Sequence, residues 1–339
     1  GEKTKKEAAL KNHKDAFEIL VKELIDNKVI ESCEDIKAVG HRTVQGGEKY
    51  DHTVVIDESV INDMIKYKPL APLHNPASIT GIEASKEVFP NALQTAVFDT
   101  AVPYEWYTEY GVRKYGMHGT SHRYVSKRMN EILDRDDTRI ITCHIGNGGS
   151  ISAIVDGKCI DTSMGLTPNA GIMMGSRCGD IDCSIIPYIM EQTGMSAKEM
   201  DTALNKKSGL LGVSGVSSDS RDIEDGIIKG DSRCDLAQKM YVRRIIDYIA
   251  KYYVELGGCD AIVFTAGVGE NSIHTRREVI DGLSVLGVKI DEEANNVRGV
   301  EQLITAPDST IPCYIIPTNE ELMIARDTYR LSANNERDL

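Results

Sequence analysis

The sequence predicts an α/β protein of two domains. Three observations carry that expectation. Segments with apolar residues at helical spacing alternate with short apolar strands along the chain, the pattern of βα units. The 339 residues, 41% of them hydrophobic, exceed one usual domain and suffice for a sizeable core. An Asp156-Gly157 pair between two alternating runs marks a tight hairpin within the pattern.

Residues 5–28 place Leu10, Ala16, Phe17, Leu20 and Leu24 on one helical face. Ile36–Val44 reads as a strand broken by Gly46-Gly47, and helices follow over 58–67 and 78–89. Leu93–Phe98 is a short buried strand that ends at Asp99. A helix over 121–134 leads to a strand over 139–145. Ile151, Ala153 and Val155 alternate into the Asp-Gly turn, and Lys158–Asp161 returns. Helices are expected over 181–193, 197–206 and 232–256, a fully apolar strand over 261–265, and a helix from about 273. Ile311–Ile316 is the last strand. PTNEELMIARDTYRL is the last helix, with Thr318 and Glu321 as a capping box.

A net charge of −13 argues against nucleic acid as a partner, because a phosphate-backbone binder needs a concentrated basic face. A small phosphorylated ligand needs only a local positive pocket. The eight cysteines show no CxxC and several sit in apolar runs, so they read as reduced thiols, with a cytoplasmic location expected. No apolar stretch approaches a membrane span, and GEKTKKEAALKNHKD lacks a signal-peptide core.

Three glycine-rich turns are expected after strands: GNGGS (146–150), SGVSSDSRD (214–222) and AGVGENS (266–272). Glycine lets backbone approach a ligand closely, and exposed N–H groups hold anions. GNGGS joins a strand to a hairpin, which argues against Walker and Rossmann loops, since both feed a helix. Arg42 and Arg177, each near glycines, are either salt-bridge partners or clamps for carboxylate or phosphate. His118, between Gly116 and Gly119, is placed to donate to developing negative charge, and His122 four residues on lacks a neighbouring Glu or Cys that would favour a metal. Asp99 at a strand end suits either a turn cap or an active-site carboxylate. Glu320 in the first turn of the last helix suits either the helix dipole or magnesium. These residues alone point to an α/β enzyme handling a phosphorylated ligand.

Taken in order, GHRTVQGGEKY, LAPLHNP, VFDTA, YGMHGTSH, CHIGNGGS, DTSMGLTP, GSRCGDID, NKKSGLLGVSGVSSDSRD, VFTAGVGENS and IPTNEELMIARDT resemble the acetate kinase family from about residue 36 to 330. The resemblance implies the acetate and sugar kinase/Hsp70/actin fold (ribonuclease H-like), with an active-site cleft between two α/β domains. The first would comprise 1–101 plus 321–339, and the second, nucleotide-binding domain 102–320. It implies reversible transfer of the ATP γ-phosphoryl group to acetate, giving acetyl phosphate and ADP, with magnesium or manganese, in a homodimer. Arg42 and Arg177 would hold the carboxylate and the moving phosphoryl group, His118 would donate to its equatorial oxygens, and Asp99 would polarise the acceptor side. Val44, Leu73, His74, Met117 and Pro168 would join Arg42 around the substrate. His144, Ile145, Gly146, Asn147 and Gly148, then Asp219, Ser220 and Arg221, then Gly267, Val268, Gly269, Glu270 and Asn271 would line the ATP site. Glu320 would serve the metal.

The sequence departs from the family pattern in four places. The family's opening strand with its Asn-x-Gly-Ser-Ser-Ser-x-Lys phosphate loop is missing, and FDTA runs into VPYEWY rather than Phe-His-Gln-Thr. Because the downstream motifs are intact, both segments are expected to be mobile parts skipped at the start and between Ala101 and Val102; a protein truly lacking the first strand is expected to have weak or no kinase activity. Met117 replaces the usual phenylalanine and Gln45 the usual histidine, which leaves acetate against propionate open. Propionate or butyrate kinase is the alternative within the class, and an ATP-binding actin- or Hsp70-like protein without kinase activity is the alternative outside it. An oxidoreductase would rest on AGVGEN alone and lacks the acidic residue that binds a ribose.

Overall fold

The computed structural model describes residues 13–43, 49–50, 53–68, 75–98 and 114–332. The chain divides into two compact units, 1–100 with 321–339, and 101–320.

The first unit contains α1 (His13–Asp26), β1 (Ala38–Thr43), β2 (Val54–Val55), α2 (Glu58–Lys66), α3 (Asn75–Val88) and β3 (Leu93–Phe98). Its sheet has the order β1-β3-β2, with β1 parallel to β3 and β2 antiparallel. Ile56, Val60, Met64, Ile79, Ile82 and Ala96 form the core between this sheet and α2 and α3. In α1 the inward residue is Val21, with Phe17 meeting Phe89 edge-on at 5.8 Å. Leu20, expected inward, is 49% exposed, because the inward stripe runs through the buried Val21 and the half-buried Phe17 and Leu24.

Among the described residues, the regular structure of the second unit begins at α4 (Gly119–Leu133), followed by β4 (Arg139–Ile145), β5 (Gly149–Val155) and β6 (Lys158–Thr162). Asp156 and Gly157 both have positive φ, 50° and 74°, as a primed two-residue hairpin turn requires. Then come α5 (Ile185–Thr193), α6 (Ala197–Lys206), α7 (Gly209–Ser214), α8 (Ser220–Ile228) and α9 (Ser232–Glu255). The described chain continues with β7 (Ala261–Thr265), α10 (Ala266–Asn271), α11 (Ile273–Gly282), α12 (Glu292–Asn295), β8 (Gln302–Leu303) and β9 (Cys313–Ile315), and then α13 (Glu320–Ser332), which from Glu321 on belongs to the first unit. The six-stranded sheet has the order β6-β5-β4-β7-β9-β8, with β4, β7 and β9 mutually parallel. All five residues of β7 are buried, as an apolar central strand covered on both faces demands. Val125 and Met129 of α4 pack on Ile140, Ile154, Ala261 and Val263, and α9 packs on β4 and β5.

Four expectations need correction. AGVGEN is a short helix, α10, not an open turn: Ala266 enters at φ 64° and the chain coils at once. SGVSSDSRD follows α7 rather than a strand and feeds α8, whose N-cap is Asp219. The helix expected from 181 starts at Ile185. The Thr318–Glu321 capping box is not made: α13 starts at Glu320, one residue too late for Thr318 to be its N-cap, and the buried Thr318 Oγ1 has no hydrogen-bond partner among the described residues.

Candidate active site

Because β4, β7 and β9 run parallel, their carboxyl ends share one edge of the sheet, the edge where open α/β sheets bind ligands. Three segments of interest leave from it: Gly146–Gly149 after β4, Ala266–Asn271 after β7, and Thr318 with Glu320 after β9. The first two abut. A Cβ at Gly146 would stand 3.8 Å from the Gly267 nitrogen. Glu270 staples the third to the second, since its Oε1 accepts from the Ala266 N–H at 2.8 Å and the Thr318 N–H at 3.1 Å.

A cavity of about 580 Å³ opens beside these turns. Of the residues assigned to a nucleotide from sequence, Gly146, Asn147, Asp219, Ser220, Arg221, Gly267, Val268 and Asn271 line it. Gly175 packs behind, and any Cβ there would overlap Asn147 Oδ1 at 2.0 Å. Asp219 caps α8 by accepting from the Arg221 N–H, and the Arg221 guanidinium holds the Asp219 carboxyl below its usual range. Ile145 is fully buried in β4, Gly269 is buried with its carbonyl bonded to Arg276, and His144 turns towards His118. Sequence reading missed Glu224, Tyr241, Ser272 and Arg298 of the same cavity. Ser272, like the unassigned Leu210 and Ser218, lies within a quoted motif, whereas Glu224, Tyr241 and Arg298 come from α8, α9 and the loop after α12, where no local motif marks them.

Beside the cavity, two side-chain nitrogens reach the wall of the glycine turn. From a Cβ position built on Gly148, Arg177 Nη1 lies at 3.2 Å and His118 Nε2 at 3.7 Å. A side chain at 148 would crowd both. His118 adopts left-handed backbone, φ 61°, at the entrance to α4, a conformation rare for a non-glycine residue that turns its ring to this wall. The ring stacks on His144, with centroids 3.9 Å apart and planes 17° from parallel. His118 Nδ1 meets Ser150 Oγ at 2.8 Å. His122 is buried, its nitrogens engaged by Thr142 Oγ1 and Ser150 Oγ at 2.7 Å each, and burial with the nearby His144 pushes its pKa down to about 3. The Arg177 guanidinium is half-buried, which lowers its pKa, and among the described residues its one hydrogen bond runs from Nη1 to Met174 Sδ at 3.8 Å.

Met117 is buried next to His118, and Pro168 is half-buried in the turns before Gly171. Arg42 belongs to the first unit, where it is exposed on β1 opposite Val97. Val44, Leu73, His74 and Asp99 lie outside the described residues, as does the Ala101–Val102 junction where a skipped loop was expected. Glu320 is half-buried at the first residue of α13, and among the described residues no three His, Cys, Asp or Glu side chains cluster to hold a metal.

Comparison with known proteins gives the class, a phosphotransferase that works on a carboxyl group with ATP. The profile of the acetokinase family matches residues 1–326, and the chain belongs to that family. It is 49% identical over 350 residues to acetate kinase 1 of Listeria innocua, covering 99% of this chain and 88% of that protein. The crystal structure of Porphyromonas gingivalis acetate kinase superimposes with a TM-score of 0.88 at 46% identity, covering 96% of this chain and 86% of the other. A propionate kinase from Francisella tularensis gives 0.86 at 43%, covering 94% and 84%. No helix among the described residues is long and apolar enough to cross a membrane.

Proposed function

We propose that the protein phosphorylates acetate. The observation that carries this reading is the convergence of Arg177 Nη1 and His118 Nε2 on the Gly148 wall, beside a cavity of nucleotide size. An acetate oxygen attacks the γ-phosphorus of ATP as the bond to the β-bridging oxygen breaks, giving acetyl phosphate and ADP. Acetate is ionised at neutral pH, so no base is needed to start the reaction. Catalysis therefore reduces to alignment and neutralisation of charge spread over the equatorial oxygens. Arg177 offers a planar fork to those oxygens, and His118 offers one N–H. Asn147 and Gly148 and the first turn of α10 bring backbone N–H groups to the phosphates, the Gly146 N–H being held by the Gly148 carbonyl at 2.9 Å, and Asp219–Arg221 borders the nucleoside. In this proposal Arg42 meets the carboxylate and Asp99 the acceptor side when the two units enclose the substrate, with Val44, Leu73, His74, Met117 and Pro168 around the methyl group.

Glu320 suits magnesium, which binds through one or two carboxylates plus substrate phosphates rather than through an all-protein cage. A bound magnesium ion would supply positive charge to the phosphate oxygens.

The α5 helix supports a homodimer: none of its residues is buried, and Ile185 and Tyr188 are 44% and 60% exposed alongside Ile181 and Met195. The eight free thiols fit a reducing cytoplasm.

Acetyl phosphate formation from ATP, with acetate, propionate and butyrate in parallel, tests the reading. Acetate should give the highest kcat/KM. A preference for propionate would move the assignment within the class, and turnover of none would remove it.

A further inference from the structure

We infer that Thr142 and Ser150, with the His122 ring between them, fix the single hydrogen of a neutral His118 on Nε2 and so make it a donor towards Gly148. The three are positioning residues, since only His118 faces the reacting group in the function proposed above, on which the use of the donor rests.

The polarity is set at the buried end. Thr142 Oγ1 is fully buried in β4, and its one partner among the described residues is His122 Nδ1 at 2.7 Å. A hydroxyl carries one hydrogen. If Thr142 accepted from His122, that hydrogen would be buried without an acceptor, at a cost of about 1–3 kcal/mol. If it donates, only lone pairs are left over, which is cheaper. So Thr142 donates and His122 Nδ1 accepts. His122 is held neutral by burial, with its pKa near 3, so its one hydrogen sits on Nε2 and points at Ser150 Oγ, 2.7 Å away. Ser150 is buried too, and its two partners among the described residues are His122 and His118. Having accepted from the first, it donates to the second at 2.8 Å. His118 Nδ1 is thereby an acceptor, and the hydrogen of the neutral ring lies on Nε2, the atom 3.7 Å from the Gly148 Cβ position.

The same logic applies once more alongside. Ser121 Oγ is fully buried with one partner among the described residues, His144 Nδ1 at 2.8 Å. It donates there, and the stacked His144 ring also carries its hydrogen on Nε2. The opposite polarity would turn His118 Nε2 into a lone pair facing phosphate oxygens, an unfavourable arrangement.

Long-range 15N–1H ring couplings of the full chain, with signals assigned by single histidine substitutions, report which nitrogen carries hydrogen. At pH 8 the expected result is Nε2–H for His118, His122 and His144. Thr142→Val keeps the shape and removes the donor. It should introduce an Nδ1–H population at His118 and lower kcat about tenfold with KM for ATP within about twofold, and Thr142→Ser should restore both. Nδ1–H at His118 in the unsubstituted protein, or a Thr142→Val protein whose couplings do not change, overturns the inference. Because the couplings need no substrate, Nε2–H on all three rings in a protein that makes no acetyl phosphate supports the inference while removing the function.

Discussion

Arg276 and Arg177 are two guanidinium groups of the second unit with opposite wiring. Arg276, on α11, is fully buried and spends its donors on the protein: Nε on Asn295 Oδ1, Nη1 on the Gly269 carbonyl, and Nη2 on the carbonyls of Asn295 and Val297. Arg177 also lacks a carboxylate among the described residues, yet its only side-chain hydrogen bond there is to a methionine sulfur. Desolvation depresses both. The difference teaches how to read a partly buried cation. Donors saturated by carbonyls make scaffold, here the support under the Gly269 end of the cavity proposed for the nucleotide. Donors left unsaturated beside a glycine wall are the ones that, in the function proposed above, meet a ligand.

Substitutions can break or sharpen this contrast. Arg276→Met should cost the second unit about 3–5 kcal/mol, because it strands buried carbonyls, and should lower the urea midpoint accordingly. Arg276→Lys should fare little better, since one ammonium cannot span three residues' acceptors. An unchanged midpoint would reduce Arg276 to a spectator. A smaller effect concerns pH. His122 has a folded pKa of about 3 against 6.5 unfolded, so the unfolded chain takes up the proton first. Its contribution is intact above pH 6.5 and drains as pH falls towards 3, by up to about 1.4 kcal/mol per unit. Urea titrations between pH 7.5 and 4.5 should show this slope in the unsubstituted protein and lose it in His122→Asn. Smallest, Gly157→Ala at φ 74° meets open space and should cost about 1 kcal/mol in stability with kcat unchanged, as its turn lies at the end of β5 away from Gly149. A kcat loss there would mean that general destabilisation, rather than site chemistry, governs turnover.

Much of the fold was legible because its signals are local. The apolar run of β7 and the Asp156-Gly157 turn each lie within a few residues. AGVGEN was not, since a glycine-bearing segment entered by a left-handed alanine looks the same in sequence whether it turns or coils. The site divides the same way. Arg177 and His118 stand out by their flanking glycines. Arg276 looks like any helix arginine, and Thr142 and Ser121 like any small polar residue, because their meaning comes from partners 19 to 23 residues away. Glu320 could be named but not its neighbour's behaviour, as the helix start falls one residue beyond the capping pattern.

The contrast between the two arginines is tested most directly by the kcat of Arg177→Ala for acetyl phosphate formation, measured beside its urea midpoint. Turnover reduced about 10²–10³-fold or more with the midpoint held is the predicted result. Near-normal turnover, or a loss that merely tracks a fallen midpoint, would contradict it.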